Sequence, residues 1–129
     1  MILIDTSAWV EFLRNTGSQI CEQVDCLLER ETYVCEPVVM ELLAGARNDA
    51  QLTELRRLLA RCTTLQTTSA DFEMAAAIFR QCRRGGKTPR KMLDCLIAAI
   101  AIRNDASLLH CDQDFLAIAE HSALSLATT

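Results

Sequence analysis

Hydrophobic positions change period repeatedly along this 129-residue chain, and the changes divide it into short and long segments. Ile2–Ile4 is a three-residue apolar run that stops at Asp5, the signature of a short strand buried on both faces. Trp9, Val10, Phe12 and Leu13 then follow helical spacing and predict a helix over 7–14, ended by Gly17. Ile20, Val24, Leu27 and Leu28 predict a second over 18–30. Tyr33–Cys35 is the next strand, and Pro37 suits the first turn of a helix reaching Ala46. Asp49 is the expected N-cap of a helix over 50–61, followed by a strand at 63–66. Thr68 to Asp71 resembles a capping box with Asp in the usual place of Glu, opening a helix to about 83 that Gly85 and Gly86 break. Thr88 and Pro89 predict the start of a helix over 90–103, apolar nearly all round and therefore central. A strand at 107–110, a short helix at 113–120 and a last strand at 124–126 complete the pattern.

Strands separated by helices of this length indicate βαβ units. The expected class is α/β: a small, mainly parallel, twisted sheet of four or five strands with helices on both faces, in one domain over 1–129. In such sheets the functional crevice lies beyond the carboxyl ends of the strands, at a topological switch point. Asp5 is sited there.

Composition narrows the setting. Half the residues are apolar and 23% charged, as in a globular protein and unlike a disordered one. Seven cysteines raise the question of a disulfide framework, but the count is odd and no CxxC pair occurs. Scattered through apolar runs, they read as buried, reduced thiols acting as small hydrophobes. The apolar start is too short for a signal peptide, and the run at 95–102 is too short to span a bilayer, so a cytoplasmic protein without membrane contact is expected. Net charge is −4, which by itself argues weakly against a polyanionic partner. Its distribution changes that picture. Arg80, Arg83, Arg84, Lys87, Arg90 and Lys91 fall within twelve residues that contain no acid, leaving seven bases against 17 acids elsewhere. Such a block is either a solvated face or a contact for a polyanion.

The acids carry the sharper signal. Asp5 ends the first strand, Glu41 sits mid-helix in VVMELLAG, Asp94 heads the most apolar helix, and Asp112 and Asp114 follow the strand before them. Each has an ordinary local explanation, as a cap, a solvent-facing acid or a first-turn acid. Together they suggest a carboxylate cluster at the end of the sheet. Such a cluster cannot exist bare, because two unit charges ~4 Å apart repel by about 4 kcal/mol at an effective dielectric near 20, so either protons are taken up or a cation sits among the acids. All-oxygen ligands favour Mg²⁺ or Mn²⁺ over zinc or copper. With a basic segment beside it, the site suits phosphodiester hydrolysis on a polyanion.

The segments MILIDTSAWV, PVVMELLAGA, MLDCLIAAIA and LLHCDQDF resemble, in order and approximate spacing, those of the PIN-domain ribonucleases, and more narrowly the VapC toxins of bacterial toxin–antitoxin pairs. The resemblance covers essentially the whole chain and implies a PIN-like three-layer fold. It implies a catalytic and metal-holding quartet of Asp5, Glu41, Asp94 and Asp112, with Glu41 acting directly or through water. Asp114 matches a variable fifth acid, and Thr6 or Ser7 the hydroxyl that supports the first acid. It implies Mg²⁺- or Mn²⁺-dependent cleavage of RNA such as tRNA or rRNA, blocking translation. It also implies a homodimer and a cognate VapB-type antitoxin, joined in a heterotetramer or larger assembly. The antitoxin is expected to lay its C-terminal segment along a groove of apolar residues from 7–13 and 38–43 and to place an Arg among the acids. Arg80, Arg83, Arg84, Lys87, Arg90 and Lys91 are the candidate RNA contacts. One departure stands out: His110 occupies a position, two before the fourth acid, where the family often carries Thr or Ser. Two other readings compete, a phosphate-acceptor α/β module and a non-catalytic PIN-like binding partner. The first lacks an Asp at the second strand's end and a Lys beyond 91; the presence of all four acids speaks against the second.

Overall fold

The computed structural model describes residues 1–127, so the last two residues of the expected single domain lie outside the described residues. Five strands form one parallel sheet: β1 (Ile2–Ile4), β2 (Tyr33–Cys35), β3 (Thr63–Leu65), β4 (Ser107–Leu109) and β5 (Ser125–Leu126), in the order β3-β2-β1-β4-β5. The register pairs Leu3 with Tyr33 on one side of β1 and with Leu108 on the other. Seven helices connect them: α1 (Thr6–Leu13), α2 (Gln19–Leu28), α3 (Glu36–Ala44), α4 (Asp49–Leu59), α5 (Ser69–Arg84), α6 (Met92–Arg103) and α7 (Asp114–Glu120).

The chain steps outward from β1 to β3, then returns across the sheet to lay β4 on the other side of β1. Right-handed crossovers therefore place α1–α4 on one face and α5–α7 on the opposite face. The reversal puts the topological switch point between β1 and β4, directly above Asp5. The backbone closes that point: Asp5 N–H donates to Leu109 O at 2.9 Å.

The core has Leu3, Ile4, Trp9, Val34, Val38, Leu108 and Phe115 fully or almost fully buried, with α6 running through it from Asp94 to Ala101 without an exposed residue. No helix among the described residues is long and apolar enough to cross a membrane.

Several boundaries differ from the pattern-based expectation for local reasons. Asn48, not Asp49, caps α4, because its extended backbone lets its Oδ1 accept from Gln51 N–H at 2.9 Å. The Asp71 carboxylate does close the start of α5, accepting from Thr68 N–H at 2.8 Å. Pro89 does not begin α6. It lies buried in a bend, Lys91 is extended, and the helix starts at Met92. Of the cysteines, Cys21, Cys35, Cys82 and Cys95 are buried thiols as expected, whereas Cys62 is half-buried and Cys26 and Cys111 are exposed.

Candidate active site

Each acid arrives from a different element. Asp5 leaves β1 in extended conformation and caps α1, its Oδ2 accepting from Ser7 N–H at 3.0 Å and from Ser7 Oγ at 2.6 Å. Ser7 Oγ in turn accepts from Cys111 N–H at 2.8 Å, which ties the β4 exit loop to the first acid. Glu41 sits mid-way along α3, half-buried, and its Oε1 accepts from Thr6 Oγ1 at 2.8 Å. Thr6 and Ser7 thus each brace one acid. Asp94 is third in α6, where the helix dipole favours negative charge, yet it is only 3% exposed. Asp112 lies in the loop before α7 and Asp114 is that helix's first residue, with Asp112 Oδ1 accepting from Asp114 N–H at 3.0 Å.

These acids share one space. A cleft of about 320 Å³ is lined by Asp5, Glu41, Asp94 and Asp112 together with Thr6, Ser7, Lys91 and Glu11. One oxygen each of Asp94, Asp112 and Asp114 lie within 4.8 Å of one another. Burial raises the Asp5 carboxyl above its ordinary value, against the hydrogen bonds from Ser7. Burial, then the negative charge of Asp5, pushes Asp94 up to about 7, opposed by Lys91. Asp94 Oδ2 is buried without a hydrogen-bond partner, a costly state for a carboxylate oxygen. The donor set is all oxygen, crowded and short of positive charge, and it fits a hard divalent cation.

His110, the departure from the family pattern, does not line the cleft. Its Nδ1 accepts from Asp112 N–H at 3.1 Å and its ring tilts on Phe115 at 5.4 Å, so it shapes the turn that presents the fourth acid. The six bases do not make one free surface. Arg80, Arg83 and Arg84 are exposed on the last turns of α5, with the Arg83 guanidinium 5.7 Å from the Phe79 ring centre. Lys87 pairs with Glu120 at 3.2 Å. Arg90 pairs with Asp114 at 2.9 Å and Asp112 at 3.4 Å, and Lys91 faces the cleft.

Residues 2–121 match the PIN domain, nearly the full chain. The ribonuclease VapC11 of Mycobacterium tuberculosis is 48% identical over 132 residues, an alignment covering 99% of this chain and 98% of that protein. The chain belongs to the PIN-domain family and, within it, to the VapC ribonucleases. Solved structures agree on the PIN fold. VapBC2 from Rickettsia felis, bound to a DNA fragment from its promoter, superposes with a TM-score of 0.78 at 17% identity over 98% of both chains. FitAcB from Neisseria gonorrhoeae gives 0.77 at 23% identity over 99% of this chain and 97% of that one.

Two features of this VapC-family site escaped the sequence. Glu11 adds an acid to the cleft wall one helical turn beyond Ser7; its exposed-looking position in α1 offered no signal. Beside the cleft lies a groove of about 610 Å³ that shares Thr6, Val10 and Glu41 with it. Of the apolar residues expected from 7–13 and 38–43, Val10, Leu13 and Leu42 line it, whereas Trp9, Phe12, Val38, Val39, Met40 and Leu43 do not, and Leu55 and Leu58 of α4 supply the other wall.

Proposed function

We propose that this chain is a toxin endoribonuclease that hydrolyses phosphodiester bonds in RNA with Mg²⁺, Mn²⁺ being able to substitute, and that tRNA or rRNA is its target. The observation that carries the reading is the meeting of Asp5, Glu41, Asp94 and Asp112 on one cleft, with a buried Asp94 oxygen left unpartnered. Asp5, Asp94 and Asp112 would hold the ion directly, Glu41 directly or through water, and Asp114 from the rim. When bound, the ion neutralises the acids, polarises the phosphoryl oxygen and provides a water of lowered pKa.

The chain's own groups divide the remaining work. Ser7 fixes the Asp5 carboxylate through two hydrogen bonds, and Thr6 fixes that of Glu41, so neither acid has to reorganise during reaction. Burial and the Asp5 charge hold the Asp94 carboxyl up to about 7, so that cation binding there would be coupled to loss of a proton. Lys91 at the cleft wall attracts the RNA backbone, and Arg80, Arg83 and Arg84 extend that attraction along α5.

The relative VapC11 is named a ribonuclease, and VapBC-5 of Mycobacterium tuberculosis is described as a member of the VapBC family of toxin-antitoxin systems, which supports a VapB-type partner here. The groove beside the cleft, with exposed Leu13 on its wall, suits an apolar peptide segment ending at the acids. A homodimer, assembled with antitoxin into a heterotetramer or larger complex and working in the cytoplasm, completes the proposal. The test is cleavage of total RNA with and without Mg²⁺. Asp94→Asn is expected to lower Mg²⁺-dependent cleavage by about a thousandfold while keeping the fold. Full activity in Asp94→Asn would overturn the mechanism.

A further inference from the structure

Arg90 joins the basic segment to the acidic site. Its Nε donates to Asp114 Oδ2 at 2.9 Å and its Nη2 to Asp112 Oδ1 at 3.4 Å. One oxygen from each of those two acids and one from Asp94 lie within 4.8 Å of one another, the closest grouping of three acids that the site presents. A cation using all three would therefore meet the guanidinium on two of them. By contrast, Asp5, Glu41 and Asp94 have no ion pair among the described residues. The acidic site thus has an inner part without an ion pair and an outer part that one guanidinium partly neutralises.

The Arg90 side chain is 73% exposed, and exposed ion pairs bind weakly, so it can leave at little cost. Its backbone is far better held. Pro89 beside it is buried, and Lys87 N–H donates to Cys82 O at 2.9 Å. A planar fork of donors on a fixed base, at the edge of a phosphodiesterase cleft, matches a phosphate as well as a carboxylate.

We infer that Arg90 is an on-chain counter-ion of Asp112 and Asp114, displaced when a divalent cation takes those carboxylates and then free to bind the RNA phosphate at the cleft mouth. The inference rests on the metal-dependent reading above. It reverses the sign expected of a structural clasp. Were Arg90 only to hold the Asp112 loop in place, its loss would loosen the ligands and weaken cation binding. As a competitor, its loss tightens cation binding and weakens RNA binding.

The experiment is a Mn²⁺ titration of the ion-free full chain, followed by the electron paramagnetic resonance signal of free Mn²⁺, without RNA. Arg90→Gln is expected to bind Mn²⁺ about threefold tighter or more than wild type. Arg90→Lys, which keeps the charge, is expected to fall between them. In parallel, fluorescence anisotropy of a labelled poly(U) oligonucleotide, with Ca²⁺ present, is expected to show Arg90→Gln binding about threefold weaker. Equal or weaker Mn²⁺ binding in Arg90→Gln, with wild type still binding, overturns the counter-ion role and leaves the metal-dependent reading standing. Unchanged poly(U) binding overturns the phosphate contact. Absence of Mn²⁺ binding in both proteins removes the metal-dependent reading and the inference with it.

Discussion

Asp71 and Asp94 are buried to nearly the same degree, 1% and 3% exposed, in two corners of the same helical layer. Their chemistry is opposite. Burial pushes the Asp71 carboxyl up, but two hydrogen bonds from Arg103, at 2.7 and 3.1 Å, and one from Thr68 N–H hold it below the usual carboxylate range. Arg103 also donates to Gln66 O at 2.6 Å, so the pair clasps the end of α6 to the start of α5. Asp94 has the same burial without a paired cation, and a second acid, Asp5, beside it; it rises to about 7. A buried acid with its own arginine is architecture. A buried acid facing other acids is a site that needs a cation from outside.

The contrast can be broken first by activity. Asp94→Asn is expected to lose about a thousandfold in kcat/KM on RNA, whereas folded Asp71→Asn stays within about threefold of wild type. A comparable loss in both would mean that the two corners are not functionally distinct. The next effect is on stability. Arg103→Gln strands the Asp71 carboxylate and is expected to lower the unfolding free energy by about 2–3 kcal/mol in urea, the partial exposure of Arg103 moderating the loss. Asp94→Asn is expected to leave the ion-free protein equally stable or more so, by relieving repulsion with Asp5. Third, Mg²⁺ at about a hundred times its dissociation constant adds about 2.7 kcal/mol to the wild type, seen as a rise in Tm, and nothing comparable to Asp94→Asn.

The smallest effect is the pH profile of the ion-free protein, where the two acids slope in opposite directions. Asp94 has a raised folded pKa, so the native state binds more protons than the unfolded chain between pH ~4 and about 7. Stability therefore falls as pH rises through that window. Asp71 is depressed, so its contribution is present above the unfolded value near 4 and lost as pH falls through the folded one. Urea midpoints across pH 3–8 are expected to lose much of their upper slope in Asp94→Asn, Asp5 keeping the rest, and part of their lower slope in Arg103→Gln.

Much of this was legible because it is local. Alternating short apolar runs and amphipathic helices dictate a parallel α/β sheet, and an acid at the end of β1 lies at its carboxyl edge in any such topology. Glu41 and Asp94 stood out because each interrupts an apolar helix, and Asp5 and Asp112 because each follows a buried strand. The misread boundaries were also local. Asn48 and Asp49 are both good caps, and only backbone conformation selects Asn48; Pro89 fits a first helical turn but packs instead in the preceding bend.

Pairings between distant segments were not legible. Asp71 looked like a capping acid and is one, but nothing in the pattern announces Arg103 thirty-two residues away. The basic run read as a single surface, yet Lys87 and Arg90 pair with Glu120 and with the acids, a choice made by how the bend after Gly86 folds back on α7. The sequence by itself determined which elements form and which acids stand at their ends, since period, capping and burial preference act over a few residues. Only the tertiary structure decided which of those acids meet, and which receive an arginine. Counter-ions are assigned by distance in space, and Coulomb interactions take no account of separation along the chain.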